Sequence, residues 1–387
     1  MDSKHVGLIS ACTLRFALVV CLFEDGSAQG EEVWRPHVIY EGGRCDTSVA
    51  ADFTGDGLPD IVCNSNKKTR LLVAPDWQEV VVEGEQDLRF IHGETMDVDG
   101  DGDPDFIGAQ YTPGYIAWLE RPDRPLKERW RLHLIDDQVH GVHGLLVGDV
   151  DGNGALDLLA NSGQPTGPFS DSLVWYSRPH YVRRATGWNR HIFAQGDAPG
   201  LSHYLGLGDV NGDGRPDAAS GAKGGPADES GKGNWFAWWE APEDPTTVWT
   251  KHFISAYQAG ATNIHPADIN ADGHTDFVAS RGHGKGVVWF EGPSWTEHLI
   301  HPLEGPHCLV VADIDGDNDL DAATCAKDDK LVAWFENDGN GHFQSHVIGQ
   351  NQAAYDIRAT DIDVDGDLDL LVAGQFSENV VWYQNPR

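Results

Sequence analysis

Seven short stretches of the chain carry oxygen-bearing side chains at alternate positions, and "DIDGDNDLD" (313–321) is one of the most acidic. Five carboxylates in nine residues repel one another unless a cation neutralises them. Oxygens at positions 1, 3, 5 and 9, with a backbone carbonyl at 7, make the all-oxygen set of a hard ion. Ca²⁺ takes roughly six to eight such ligands at about 2.3–2.6 Å. The predicted ligands are Asp52, Thr54, Asp56 and Asp60 in the first loop and Asp97, Asp99, Asp101 and Asp105 in the second. The third has Asp149, Asp151, Asn153 and Asp157, and the fourth Asp209, Asn211, Asp213 and Asp217. The fifth has Asp268, Asn270, Asp272 and Asp276, the sixth Asp313, Asp315, Asp317 and Asp321, and the seventh Asp361, Asp363, Asp365 and Asp369. Up to seven structural Ca²⁺ are expected, which would move the formal charge from −34 to −20. Position 6 is glycine in six loops and Asn318 in the other, residues that accept a left-handed backbone.

A second set of residues offers acid–base chemistry. Five or six residues before the first aspartate of each loop stand Asp46 and Thr47, His92, His143, His203 with Tyr204, Asn263, His307 and Tyr355; His140 and His265 are close by. Five or six residues after the last aspartate stand Asn66, Gln110 with Tyr111, Gly163, Lys223, Arg281, Lys327 and Gln375, with His283 two beyond Arg281. Imidazole and phenol supply a base and an acid near neutral pH, and guanidinium or ammonium groups neutralise a carboxylate. Together these are the needs of β-elimination from a uronate, in which a cation steadies the enolate-like charge while one group removes the C5 proton and another protonates the leaving oxygen. On this reading His143 and His203 are the acid–base pair, Tyr204 or Tyr355 their partner, and Arg281 the carboxylate neutraliser. His92, His140, Lys223, Asn263, His265, His307, Lys327, Gln110 and Gln375 complete the pocket. No pair of acidic residues accompanies them, Asp46 standing alone, so two-carboxylate glycoside hydrolysis is disfavoured. The histidines would also accept an additional divalent transition metal, with ligands drawn from separate repeats because no i, i+2 or i, i+4 spacing links them.

Convergence of these residues depends on the elements that carry them. Before each loop lies a short apolar run such as "CLVVA", and after it another such as "LLVAG". A third run of the "LVAWFEN" type follows, then a fourth in which an aromatic precedes histidine by three residues, as in "WTEHLI". Such runs, bounded by Gly, Pro and Asp, are strands. Four strands in each of seven repeats predict an all-β, seven-bladed propeller over 33–387. The last repeat stops after "NVVWYQN" (379–385), and "VWRPHVIY" (33–40) supplies its fourth strand and closes the ring. The acidic loops join strands one and two on one face. The opposite face gathers the two–three turns and the blade-to-blade connections, so the second set of residues surrounds the channel mouth there. Insertions at 163–171 and 222–233 are expected to wall one side. His37, His133, His191, His252, His298 and His346, in the fourth strands, are read as scaffold satisfied by hydrogen bonds between blades.

With this loop and repeat the chain resembles the FG-GAP/VCBS repeat family over 33–387, which implies calcium between the first two strands of each blade. Thr54 departs from that pattern at a ligand position and Ala271 and Val364 at spacer positions. The channel mouth is similar, more weakly, to rhamnosyl-glucuronate lyases acting on gum arabic and to the propeller of aldos-2-ulose dehydratase. That resemblance implies a polysaccharide lyase or a sugar dehydratase; a non-catalytic calcium-dependent lectin or adhesion propeller is the other class.

Net charge of −34 and a pI near 4.6 disfavour nucleic acid as partner, leaving an acidic oligo- or polysaccharide reached through a local cationic patch. Residues 1–28 read as an export signal with the apolar run "FALVVCLF", so a secreted or periplasmic monomer without a membrane span is expected. Export would permit disulfides Cys45–Cys63 and Cys308–Cys325, each pair straddling one acidic loop.

Overall fold

Alternation of apolar and polar residues in the short runs does produce strands, and their pairing is antiparallel throughout. The computed structural model describes residues 33–387; the expected export signal lies outside them. Seven sheets of four strands are formed, and one short 3₁₀ turn at Val182–Arg184 is the sole helical element among the described residues. The inner strands are Cys45–Ala51, Phe90–Met96, Leu145–Gly148, Ser202–Gly208, Asn263–Ala267, Pro306–Ala312 and Asp356–Thr360. Each touches the inner strands of both neighbouring blades, and Asp356–Thr360 meets Cys45–Ala51 to close the ring. The seventh sheet is completed as expected, with Arg35–Glu41 pairing antiparallel to Asn379–Gln384. No helix of the described residues is long and apolar enough to cross a membrane.

The core lies between blades. Met96 and Trp118 of the second blade pack with Leu145 and Leu158 of the third, and Ile39 and Tyr40 of the last with Ile61 and Leu72 of the first. Each blade therefore buries a face against its neighbours, and the ring has no open end.

The outer-strand histidines correct one expectation. His133 stacks on Trp118 at 4.3 Å and bonds Glu120 at 2.6 Å, and His298 stacks on Trp289 at 4.4 Å and bonds Glu291 at 2.9 Å. These contacts run within a blade, because the fourth strand lies directly across the ladder from the third, as in His133 opposite Trp118. The two predicted disulfides are also corrected: all four cysteines are free, buried thiols. A bulge between Cys45 and Thr47 shifts the register, so Cys63 faces Ser48. Cys308 does face Cys325, yet its thiol donates to Asp356 Oδ1 at 3.4 Å on the next blade.

A third correction concerns the acidic loops. Position 4 is left-handed as well as position 6, with φ +75° at Gly55 and +76° at Gly316. Ala271 (φ 54°) and Val364 (φ 62°) occupy that position, so they are strained substitutions rather than neutral spacers.

Candidate functional site

The channel mouth is shaped by the starts of the inner strands. In four blades the ladder skips there, between Cys45 and Thr47, Phe90 and His92, Ser202 and Leu205, and Pro306 and Cys308. A bulge leaves one residue unpaired and re-aims its side chain. Asp46, Ile91, the His203–Tyr204 pair and His307 sit in these bulges. His143 precedes a strand without a bulge and is held instead by Asn161, whose Oδ1 accepts the backbone N–H of His143 and of Gly144 at 2.8 Å each. Lys67 reaches the mouth from a two-residue hairpin in which Asn66 and Lys67 have φ 51° and 61°.

These elements enclose a pocket of about 520 Å³. Of the predicted residues, His143, His203, Tyr355, Lys223, Gln110 and Gln375 line it, together with Tyr111 and His283. Tyr204 and His307 lie beneath: the Tyr204 hydroxyl is 3.2 Å from His307 Nδ1 and donates to Tyr355 O at 3.3 Å, and His307 stacks on Tyr355 at 3.6 Å. His92 sits deeper, accepting from Arg358 Nη2 at 2.9 Å. Asn263 and His265 both bond Leu309 O, at 3.1 and 2.9 Å, and do not line the pocket.

Three further predicted residues fall outside it. Arg281 spends its guanidinium on Gln258 Oε1 (2.7 Å) and Glu297 Oε1 (2.5 Å), Lys327 pairs with Asp328 at 2.7 Å, and His140 meets Thr166 Oγ1 at 3.3 Å. The expected walling by the insertions is limited to Lys223; the other side is built by Arg44, Lys67, Asp87 and Arg89 of the first two blades. Arg44 and Arg89 are the cations sequence reasoning missed. Both stand eight positions before the first aspartate of their loop, a shared offset just beyond the window counted above. Asp46, 2% exposed, accepts from Arg44 Nε at 2.9 Å and from Arg89 Nε at 2.8 Å, while Gln375 Nε2 donates to it at 2.5 Å. The carboxylate thus braces two guanidinium groups through Nε and leaves their Nη atoms for a ligand.

Burial governs the titrations. His143 and His203 are pushed well below the ordinary histidine value, first by burial and then by neighbouring cationic or imidazole groups, so both rings are neutral. His283 is pushed down to about 3 by burial and then Lys223 and Lys327. Burial, then Lys327, lowers Lys223. Burial raises Tyr355 well above the ordinary tyrosine value, which keeps its hydroxyl protonated. His143 Nε2 lies 2.7 Å from that hydroxyl.

On the opposite face the acidic loops fit a hard cation. Carboxylate oxygens of Asp97, Asp99 and Asp101, of Asp149, Asp151 and Asp157, of Asp313, Asp315 and Asp317, and of Asp361, Asp363 and Asp365 lie within 4.8 Å of one another. Asp363 Oδ1 is buried without a hydrogen-bond partner. Burial and then neighbouring carboxylates, against backbone hydrogen bonds, push Asp105 up to about 8 and Asp369 to about 7. Such crowding is what a bound dication would relieve.

Fold and loops together define a seven-bladed β-propeller of tandem acidic-loop repeats. The FG-GAP-like repeat profile matches residues 97–160, 209–279, 268–324 and 313–372, more than half the chain, and the chain belongs to that family. No curated protein matches it. Among solved structures it is similar to an Agrocybe aegerita lectin specific for non-reducing terminal N-acetylglucosamine, with 18% identity, 90% of this chain and 87% of that one covered, and a TM-score of 0.53. Virginiamycin B lyase from Staphylococcus aureus (9% identity, 91% and 99% covered, TM-score 0.60) and BBS1N in complex with ARL6DN (10%, 92% and 98%, 0.58) are also similar. At these identities the likeness is one of fold alone.

Proposed function

We propose that the channel-mouth pocket binds an acidic saccharide and catalyses β-elimination at a uronate residue. The observation that carries this reading is the pocket's charge: the cations Arg44, Lys67 and Arg89 face one carboxylate, Asp87, in a chain of net charge −34. Cations concentrated at one concave site of an acidic protein select an anionic ligand. Arg44 and Arg89, braced by Asp46, receive the uronate carboxylate and spread the charge that develops when C5 loses its proton.

Proton roles follow from the local chemistry. Lys223, which lines the pocket and whose titration burial and then Lys327 lower, is the group placed to take the C5 proton. The electron pair forms the C4–C5 double bond as the C4–O bond breaks, and Tyr355, kept protonated by burial, gives its proton to the leaving oxygen. His143 Nε2–H then steadies the phenolate at 2.7 Å. His203 Nε2 is engaged by His283 Nε2, 3.1 Å away, so it is a floor group and not the base. The acidic loops hold calcium as scaffold, tying each inner strand to its neighbour in the sheet.

Screening acidic polysaccharides for the ultraviolet absorbance of an unsaturated uronate tests the reading. Tyr355→Phe is expected to abolish the signal while saccharide binding persists, and Arg44→Ala/Arg89→Ala to abolish both. An acidic saccharide bound with no elimination by the parent protein would reduce the pocket to a lectin site; no acidic saccharide bound at all would end the proposal.

A further inference from the structure

We infer that His143, His203 and His307 form a site for a borderline transition-metal dication of the Zn²⁺ or Co²⁺ class at the floor of this pocket, separate from the acidic loops. The three rings come from the third, fourth and sixth blades, and one ring nitrogen of each lies within 4.8 Å of the others. They are 5%, 2% and 0% exposed. His143 stacks on His203 at 4.0 Å between ring centres, which packs the two rings but does not satisfy their ring nitrogens.

The hydrogen bonds set which nitrogens are bare. His203 Nδ1 donates to Leu201 O at 2.9 Å, which leaves the lone pair on Nε2. His307 Nδ1 donates to Tyr355 O at 3.2 Å, and its Nε2 has no hydrogen-bond partner. His143 uses Nε2 toward the Tyr355 hydroxyl at 2.7 Å and leaves Nδ1 without a partner. A ligating histidine whose other nitrogen is fixed by a carbonyl or hydroxyl is the ordinary second-shell arrangement of a metal site. Orphaned buried nitrogens on two of the three rings are the independent sign that something is meant to sit between them.

His283 adds a fourth imidazole, its Nε2 3.1 Å from His203 Nε2. That separation is close to the edge of a tetrahedron with metal–nitrogen bonds of about 2.0–2.1 Å, roughly 3.4 Å. All-nitrogen donors select zinc, cobalt, nickel or copper over calcium and magnesium, whereas the aspartate loops select the reverse. An ion here would be a Lewis acid beside the carboxylate held by Arg44 and Arg89, which deepens the lyase reading and rests on it only for the identity of that carboxylate. His143 can ligate through Nδ1 and still face Tyr355 through Nε2.

The test uses the full chain, stripped with chelator and then saturated with Ca²⁺ so that the aspartate loops are filled. Titration with Co²⁺ should load one ion per chain by elemental analysis, with ligand-field bands in the visible that Zn²⁺ abolishes. His203→Ala and His307→Ala should each weaken Co²⁺ binding by more than the roughly 10–100-fold typical of second-shell changes, with calcium content unchanged. Because His307 is fully buried, near-ultraviolet circular dichroism checks folding, and Tyr204→Phe serves as a floor variant that should keep the Co²⁺ site. A folded, Ca²⁺-saturated chain that takes up no stoichiometric Co²⁺, or whose two histidine variants bind it as tightly as the parent, overturns the inference. Turnover of a uronate saccharide by a chain that binds no Co²⁺ sinks only this site; Co²⁺ bound without turnover of any acidic saccharide sinks only the lyase.

Discussion

The guanidinium clamp of Arg44 and Arg89 sets a quantity that binding measurements can check. Asp46 holds both Nε atoms, at 2.9 and 2.8 Å, so the forks are oriented before a ligand arrives. A uronate carboxylate on one fork gains a charge-assisted interaction of about 1.5–3 kcal/mol. Arg89→Ala should therefore weaken binding of a glucuronate-terminated oligosaccharide about 10- to 150-fold, and Arg44→Ala by a similar factor. The double variant is not the sum of the two. It strands Asp46, 2% exposed, with Gln375 as its remaining partner, and an uncompensated buried charge costs about 3–5 kcal/mol of stability. Adding Asp46→Asn removes that charge and separates the fold penalty from lost recognition. The assay is calorimetric titration with the acidic oligosaccharide and its carboxyl-reduced analogue, at low and at physiological salt. Preference for the acid should collapse in the variants, shrink with salt in the parent, and leave the neutral analogue unaffected. If all variants bind both sugars as the parent does, the pocket is not an anion site and the argument from charge fails.

Three further outcomes can be measured on the scaffold. Val364, 55% exposed at φ 62°, carries a left-handed cost of about 1–2 kcal/mol. Glycine there returns about 0.5–1 kcal/mol to the unfolded chain, so Val364→Gly should gain about 0.5–1 kcal/mol in urea unfolding, and no gain would show the loop unstrained. Chelation at neutral pH should lower the thermal midpoint, with Ca²⁺ restoring it better than Mg²⁺; a midpoint indifferent to chelator would remove calcium from the loops. Arg358 bonds Glu94 at 2.9 Å, His92 at 2.9 Å and Asp356 at 3.3 Å within the channel, so Arg358→Met should cost about 3 kcal/mol. Burial acts to raise Glu94, but Arg358 and His92 outweigh it and hold the carboxyl low. A lowered folded pKa stabilises above the ordinary glutamate value and is lost as pH falls through the folded one. Acid unfolding of Arg358→Met should therefore begin from a smaller neutral-pH stability and show a shallower loss, and an unchanged profile would clear Glu94 of that role.

How far the sequence could be read depends on whether a residue's partner lies at a fixed offset. Blade number, strand order and ring closure follow from the repeat, because each acidic loop fixes the strand on either side of it. His143, His203, Tyr355 and Lys223 were reached by the same counting, since inner-strand starts and second-strand ends share one face. Arg281 occupies the equivalent offset but swings to Glu297 on its blade's outer strand, a contact that no spacing announces. Arg44 and Arg89 lie eight positions before the first aspartate of their loops, outside the five-to-six-residue offset of the other rim residues. The strain at Ala271 and Val364 was legible in principle, since the other five loops hold glycine at that position. The cysteine pairing was not: Cys45 adjoins a bulge between Cys45 and Thr47, while Cys308 faces Cys325 and still turns its thiol to Asp356.

That bulge points to how a sevenfold scaffold acquires a single site. Seven identical blades would offer seven equal rims, each too shallow to surround a small ligand. One unpaired residue at the start of an inner strand breaks the equivalence, because side chains alternate between faces and a shift of one reverses them. In the sixth blade His307 is that extra residue, and it turns beneath Tyr355 with its Nε2 bare. In the fifth blade no residue is inserted: Asn263 pairs in register with Ser280, and its amide is consumed by Leu309 O. The fifth blade consequently gives the pocket only His283, from the turn after its second strand. Bulges re-aim Asp46, the His203–Tyr204 pair and His307, whereas His143 and Tyr355 reach the pocket from the residues just ahead of unbulged inner strands.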